Sequence, residues 1–277
     1  MKRVKAPRFA RRGKRVVETY QRPTLKTRED IAAMREAGRL VADCFAALHD
    51  AIAPGVRLDA LDAMVEAMIR ERGAEPLYKG YQGTPPTHPP FPGVICASVN
   101  DEICHGLPDA RVLDEGDIVG IDIGLKYRGY CGDSCVTYAV GEIAPEAKRL
   151  LDVARTCLQL GIRAAQPGHR LHDIAAAVEH HAVAQGYGVV SLYAGHGIGK
   201  SLHEAPSVVH VTGIPGQGMV LQEGMVFTIE PMINQGTADC ELLDDGWTVV
   251  TADGKLSAQF EHTVAITADG PLVLSVR

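Results

Sequence analysis

From residue 27 the chain alternates between helical and strand-like hydrophobic patterns. In "TRED", Thr27 stands three residues before Asp30 in the form of a helix start, and Ile31, Met34, Val41, Phe45, Leu48 and Ile52 follow at three-four spacing. Pro54 and Gly55 stop that helix. The next stretch, APGVRLDALDAMVEAMIRERG, has a counterpart in QPGHRLHDIAAAVEHHAVAQG from Gln166. Aligned on Pro54 and Pro167, an offset of 113, the two share Pro-Gly-x-Arg-Leu, then Val65-Glu66 against Val178-Glu179, then a closing glycine at 73 and 186. Two β-prone runs repeat as well: EGDIVGID ends on Asp122 and EGMVFTIE ends on Glu230, an offset of 108. Two segment pairs in the same order at nearly one offset predict an internal duplication of helix, Pro-Gly turn, helix and strand. A period near 110 is too long for a solenoid, so the expectation is two half-domains facing each other, with their acids meeting across the seam.

Those acids sit where a buried strand should continue apolar. VGIDIGLKYRGYCGDSCVTYAV reads as a hairpin with its turn in "KYRG". A centre between Tyr127 and Arg128 gives opposed residues an index sum of 255 and places Asp122 opposite Asp133, with Cβ atoms roughly 5 Å apart. Two like charges that close are destabilising unless a cation holds them or one is protonated. The alternative, a pair of solvent-facing acids, fits poorly with Val119, Ile121 and Ile123 around Asp122. Glu230 in MVFTIEPMI and Glu261 in AQFEHTVAIT are planted in equally apolar runs. Four acids on sheet strands call for a shared compensating charge.

Histidine supplies the rest of the pattern. His196 lies between glycines in AGHGIG, which lets backbone approach closely. The string lacks Gly-x-Gly-x-x-Gly spacing, so a dinucleotide loop is rejected. Four carboxylates and one imidazole suit two divalent ions such as Mn, Co, Fe or Zn and are too anionic for one catalytic zinc. Two such ions, about 3.5–4 Å apart, would deprotonate a water and polarise a carbonyl, which is hydrolase chemistry. His105 in ICHGLPD and His203 in KSLHEAP stand open between structural and functional roles.

Composition narrows the setting. With 277 residues, 46% hydrophobic, the chain can bury one large core or two closely packed halves. Seven cysteines without a Cys-x-x-Cys pair indicate neither a disulfide framework nor a structural zinc site, and a reducing cytosol fits best. No run approaches the roughly 20 apolar residues of a membrane helix, and the basic start lacks a signal peptide's apolar core; a cytoplasmic monomer is expected. Residues 1–23 carry nine Lys/Arg and one Glu, net +8, against 19 basic and 33 acidic residues, net −14, in the rest. Residues 1–24 are expected to be a solvated, disordered extension, with contact to RNA or the ribosome as the sharper alternative.

Taken together, Asp122 and Asp133 eleven apart, GHGIG followed by His203, FTIEPM, and DGWTVVTADGKLSAQFEHT resemble the methionine aminopeptidases, from about residue 25 to the C-terminus. The spacing of 31 positions from Glu230 to Glu261 leaves no room for the type II insertion, so the resemblance is to type I. It implies an α/β (α+β) pita-bread fold with pseudo-twofold halves, residues 25–277 as the catalytic domain, and removal of initiator methionine before a small second residue. It also implies that Asp133 and Glu261 are shared by both metals, that Asp122 completes one, and that His196 and Glu230 hold the other. Glu230 would carry a proton to the leaving amine, while His105 and His203 would contact the scissile peptide. Tyr81, Phe91, Cys96 and Trp247 match walls of a methionine pocket, and the backbone near Asn100 and Ser257 matches a monovalent-cation site. Three positions depart from the family pattern: Leu202 replaces a common aromatic beside the pocket, TPPTHPP at Thr84 to Pro90 is an insertion, and Glu102 takes a usually apolar place. The prolidase and aminopeptidase P branch of this fold generally carries a large N-terminal domain, against about 25 residues here. A catalytically dead binding module would typically have lost ligands, and all five are present.

Overall fold

Thr27 starts the first helix as its sequence predicts. Its hydroxyl accepts the Asp30 backbone N–H at 3.1 Å, and the Asp30 carboxylate accepts the Thr27 N–H at 2.8 Å, satisfying two donors reciprocally. In the computed structural model, which describes residues 3–5, 21–83, 89–211 and 213–277, this helix, α1, spans Arg28–Ala51 and buries Met34, Val41, Phe45 and Leu48. Helices α2 (Leu58–Glu71), α3 (Pro145–Ala164) and α4 (Leu171–Ala184) complete the helical layer. α2 and α4, 14 residues each, are separated by the 113 residues of the sequence repeat.

The strands are β1 (Arg3–Lys5), β2 (Glu75–Pro76), β3 (Ile95–Val99), β4 (Glu102–Cys104), β5 (Ile118–Tyr127), β6 (Tyr130–Ala139), β7 (Gly188–Val189) and β8 (Gly195–Gly197), followed by β9 (Glu204–Val208), β10 (Val226–Ile229), β11 (Met232–Asn234), β12 (Cys240–Leu243), β13 (Val249–Thr251), β14 (Ser257–Gln259), β15 (His262–Thr267) and β16 (Gly270–Val273). In the first half β5 pairs with β2, β3 and β6; in the second, β10 lies between β15 and β8 in a sheet ordered β16-β15-β10-β8-β9. Smaller sheets run β14-β11-β7 and β1-β12-β13-β4. Every strand pairing among the described residues is antiparallel. The fold is a mixed α/β pita-bread arrangement of two halves, each with a pair of helices over its sheet. Val65 and Ile121 sit in one core and their repeat partners Val178 and Ile229 in the other, all fully buried. The seam is stitched from β6 to the end of β14 and the start of β15. Thr137 Oγ1 donates to the Gln259 carbonyl at 2.7 Å, Thr263 Oγ1 to the Asp133 carbonyl at 2.8 Å, and the Glu261 N–H to the Cys135 carbonyl at 2.9 Å.

Two expectations need correction. The β5–β6 turn is Arg128-Gly129, with Tyr127 facing Tyr130. The two turn residues have φ of 49° and 84°, as a two-residue primed turn requires, and Gly129 takes the second position. The index sum is therefore 257: Asp122 faces Cys135 and Asp133 faces Gly124, so the two acids are diagonal neighbours on one face. Nor do all four acids lie on strands. Asp122 is in mid-strand, but Glu230 follows the end of β10 and Glu261 falls between β14 and β15. Pro231, which has no N–H to give a ladder, stops β10. Most of the tail and residues 84–88 of the insertion lie outside the described residues; of the tail, Arg3–Lys5 pairs with β12. No helix among the described residues is long and apolar enough to cross a membrane.

Candidate metal centre and substrate cavity

The seam brings the acids together. Asp133 Oδ2 and Glu230 Oε1 lie 3.6 and 3.7 Å from His196 Nε2, and ligand atoms of Asp133, His196 and Glu261 all lie within 4.8 Å of one another. Asp122 joins through Tyr78, whose hydroxyl is 2.6 Å from Oδ1 of both Asp122 and Asp133. Asp133, Glu230 and Glu261 are buried.

Burial dominates the electrostatics. It pushes the Asp122, Glu230 and Glu261 carboxyls well above the usual range, with neighbouring carboxylates adding to the effect, and lifts Asp133 to about 6. The same desolvation lowers His196. A hydroxyl has one proton, so Tyr78 donates to one aspartate and accepts from the other, which must itself carry a proton. The metal-free cluster thus holds protons that a divalent cation would displace.

Three observations fit divalent ions. Glu261 Oε1 is buried without a hydrogen-bond partner, which is costly unless an ion binds there. His196 Nδ1 lies 3.1 Å from the Gly197 carbonyl, so Nδ1–H is the donor and the neutral ring presents the Nε2 lone pair toward the Asp133 and Glu230 oxygens, a donor set that a cation would engage. The donor set itself, four carboxylates with one imidazole, suits hard or borderline metals. The glycines around His196 serve strand packing: a Cβ at Gly195 would come within 2.4 Å of the Thr228 carbonyl oxygen, and one at Gly197 within 2.0 Å of that of Ala205.

A cavity of about 580 Å³ opens onto this cluster. Phe91 and Cys96 are buried in its wall, Leu202 and Trp247 are partly covered, and Tyr81, 39% exposed, stands at the rim. Phe91 meets Trp247 edge-on at 5.3 Å, and Cys96 faces Asp122 across β3–β5. The Phe91 N–H donates to the Tyr81 carbonyl and the Gly80 N–H to that of Phe91, so the insertion leaves from paired ends without separating these two residues. Trp247 Nε1 donates to the Pro89 carbonyl at 2.8 Å. Glu102 is compensated by the Val99 N–H at 2.8 Å and Arg111 at 3.2 Å.

His105 and His203 both line the cavity. His105 packs edge-on against Tyr193 at 5.4 Å and has a φ of 56°; the next residue must be glycine, since a Cβ at Gly106 would lie 2.3 Å from the Ala97 carbonyl oxygen. The His203 ring is 4.4 Å from that of His196, and its Nδ1 is 3.2 Å from the Tyr81 hydroxyl. Burial, and second the charge of His203, lowers His105 to about 4; His203 itself, exposed at the surface but desolvated on its cavity side and beside His196, is lowered to about 4 as well, so both are neutral at pH 7.

Sequence reasoning missed several supports of this site. Tyr78 had only its place in "YKGY". Thr228 could have been found, since it lies two residues before Glu230 on the same strand face. Its hydroxyl donates to Glu230 Oε1 at 2.7 Å and accepts the His196 N–H at 2.9 Å. His210, which burial lowers to about 3, accepts the Glu230 N–H at 3.1 Å and carries no local signal. Lys26 pairs with Glu204 at 2.5 Å, beside His203.

A cavity ending on buried carboxylates and an imidazole, at the seam of a duplicated fold, has the make-up of a metal-dependent hydrolase's active site. Residues 32–268 match metallopeptidase family M24. The chain is 46% identical over 245 residues to methionine aminopeptidase 1 of Bacillus subtilis, covering 88% of this chain and 96% of that one. The crystal structure of methionine aminopeptidase from Rickettsia prowazekii matches with a TM-score of 0.88 at 39% identity, over 92% of this chain and 100% of that one. The chain therefore belongs to the M24 metallopeptidases and, among them, to the methionine aminopeptidases. Prolidase from Pyrococcus furiosus shares the fold, with a TM-score of 0.71 at 23% identity, but only 65% of its chain is matched.

Proposed function

We propose that this protein removes N-terminal methionine from newly made chains, preferring a small second residue, with two divalent ions held by Asp122, Asp133, His196, Glu230 and Glu261. Asp122 with Asp133 and Glu261 would hold one ion, and His196 and Glu230 with the same two carboxylates would hold the other. The observation that carries this reading is the buried, unpartnered Glu261 oxygen beside three further carboxyls and the His196 lone pair. Mn, Fe, Co and Zn all suit the donor set.

When bound, the ions supply a nucleophilic water at neutral pH and polarise the scissile carbonyl. Glu230 takes up a proton and returns it to the leaving amine, acting as general base and then general acid. Thr228 fixes which way its carboxylate faces. The Tyr81 hydroxyl lies 3.2 Å from His203 Nδ1; with the hydroxyl as donor, the neutral ring offers Nε2–H to the peptide oxygen as charge develops there. His105 contacts the substrate's peptide nitrogen. The methionine side chain lies among Phe91, Cys96, Trp247, Tyr81 and Leu202, soft and aromatic surfaces suited to a thioether.

Residues 25–277 are the catalytic domain of a cytoplasmic monomer, and the basic segment 1–23, net +8, makes the ribosome the partner to test. The backbone near Asn100 and Ser257, where the Ser257 N–H donates to the Asn100 carbonyl at 2.9 Å, would hold a monovalent cation. The test is methionine release from Met-Ala-Ser, Met-Lys-Ser and a Xaa-Pro peptide with Co, Mn, Fe and Zn in turn. Metal-dependent release from Met-Ala-Ser, much slower from Met-Lys-Ser and absent from Xaa-Pro, is expected; no release with any metal, or turnover of Xaa-Pro alone, overturns the proposal.

A further inference from the structure

We propose that Tyr78 is a positioning residue of the metal centre: its hydroxyl, lying between Asp122 and Asp133, donates to one of the two carboxylates, holds it in the orientation that takes up a divalent ion, and so sets the affinity for that ion. This inference rests on the metal reading above. The two aspartates are diagonal rather than opposed across β5–β6, so the strand register alone does not clamp their oxygens. The Tyr78 hydroxyl lies 2.6 Å from each Oδ1, and with both aspartates ionised its one proton holds one of the two carboxylates. A carboxylate oxygen has two lone pairs and can accept from a phenol while still facing an ion.

The ring is built into place. A Cβ at Gly124, the residue facing Asp133, would lie 2.6 Å from the Tyr78 ring, so the absence of a side chain there makes the room the tyrosine occupies. Phe91 packs against the ring at 6.4 Å with an interplanar angle of 82°. The backbone is pinned on either side: the Leu77 N–H donates to the Gly124 carbonyl at 3.0 Å, and the Tyr81 N–H to the Tyr78 carbonyl at 2.8 Å. Tyr78 thus separates the aromatic wall of the cavity from the carboxylates. Groups that orient metal ligands typically change metal affinity by about 10–100-fold when removed.

The test is titration of the metal-free full chain with Mn²⁺ by calorimetry, in wild type, Tyr78→Phe, Gly124→Ala, Tyr138→Phe and Asp133→Ala. Tyr78→Phe keeps the ring and its contact with Phe91, and Gly124→Ala keeps the hydroxyl but displaces it. Tyr138→Phe is the control, since it removes a hydroxyl that donates to the Phe45 carbonyl at 2.9 Å, away from the centre. Tyr78→Phe and Gly124→Ala are expected to bind Mn²⁺ about 10–100-fold more weakly, with Tyr138→Phe equal to wild type. The visible spectrum of the Co²⁺-loaded protein should change for Tyr78→Phe and not for Tyr138→Phe, a readout that a merely structural role would leave alone. If wild type binds Mn²⁺ and Asp133→Ala does not, but Tyr78→Phe binds as tightly as wild type or tighter, this inference falls and the metal reading stands. If wild type binds no divalent ion, both fall.

Discussion

Thr228 offers the sharpest test of how the centre is assembled, because one buried hydroxyl serves two of its parts. It donates to Glu230 Oε1 at 2.7 Å and accepts the His196 N–H at 2.9 Å, and the residue is fully buried. Thr228→Val keeps the shape and removes the hydroxyl. The His196 N–H is then left unpaired, costing about 1–3 kcal/mol, and Glu230, whose proton affinity burial raises in the metal-free protein, loses a hydrogen bond of a neutral kind worth about 0.5–1.5 kcal/mol. At the middle of both ranges about 3 kcal/mol is lost, which for a chain of this size lowers the Tm by roughly 6–12 °C. Thr228→Ser keeps the hydroxyl and loses only a methyl, at about 1 kcal/mol. The assay is thermal unfolding of the metal-free protein, with methionine release from Met-Ala-Ser by the metal-loaded protein as the second readout. Thr228→Val should unfold well below Thr228→Ser and turn over at least tenfold more slowly. Equal melting temperatures and equal turnover for the two variants would show that the hydroxyl does not hold this pair.

Other outcomes follow from groups around the centre. In metal-free protein Asp133 titrates near 6 when folded, above its ordinary value of 3.8, so between those values the folded chain binds a proton that the unfolded chain lacks. Stability from this group therefore falls as pH rises from about 4 to 6, by about 3 kcal/mol in all. Asp133→Asn should gain on wild type over that window in unfolding experiments and level off above it, and a difference independent of pH would refute the assignment. The Lys26–Glu204 pair is largely covered, at 6% and 17% side-chain exposure, so Lys26→Met should cost roughly 2–3 kcal/mol by stranding the acid. Adding Glu204→Gln should recover part of that loss in a double-mutant cycle, whereas strict additivity would mean that the pair contributes nothing.

Much of this was legible in the sequence where the signal is local or repeats. Thr27 with Asp30, the α1 stripe and the 113-residue offset between α2 and α4 were all readable, because caps and helical periodicity are written within a few residues. The register of β5–β6 was not, because "KYRG" allows two turn centres and only the positive φ at Arg128 and Gly129 selects one. The slip was two in index sum, which preserves the face, so the acids still share a side of the sheet. Tyr78, His210 and Gln259 support Asp122, Asp133 and Glu230 from 20 to 55 positions away, and no local pattern encodes contacts at such separations. Thr228 was within reach, since period-two alternation places it beside Glu230.

The most direct test of the central claim is made on Glu230→Gln, by measuring bound divalent metal and methionine release from Met-Ala-Ser on the same preparation. If Glu230 carries the proton at a metal centre held largely by the other four ligands, the variant keeps metal and loses most of its turnover. Metal retained with near wild-type release would contradict that account.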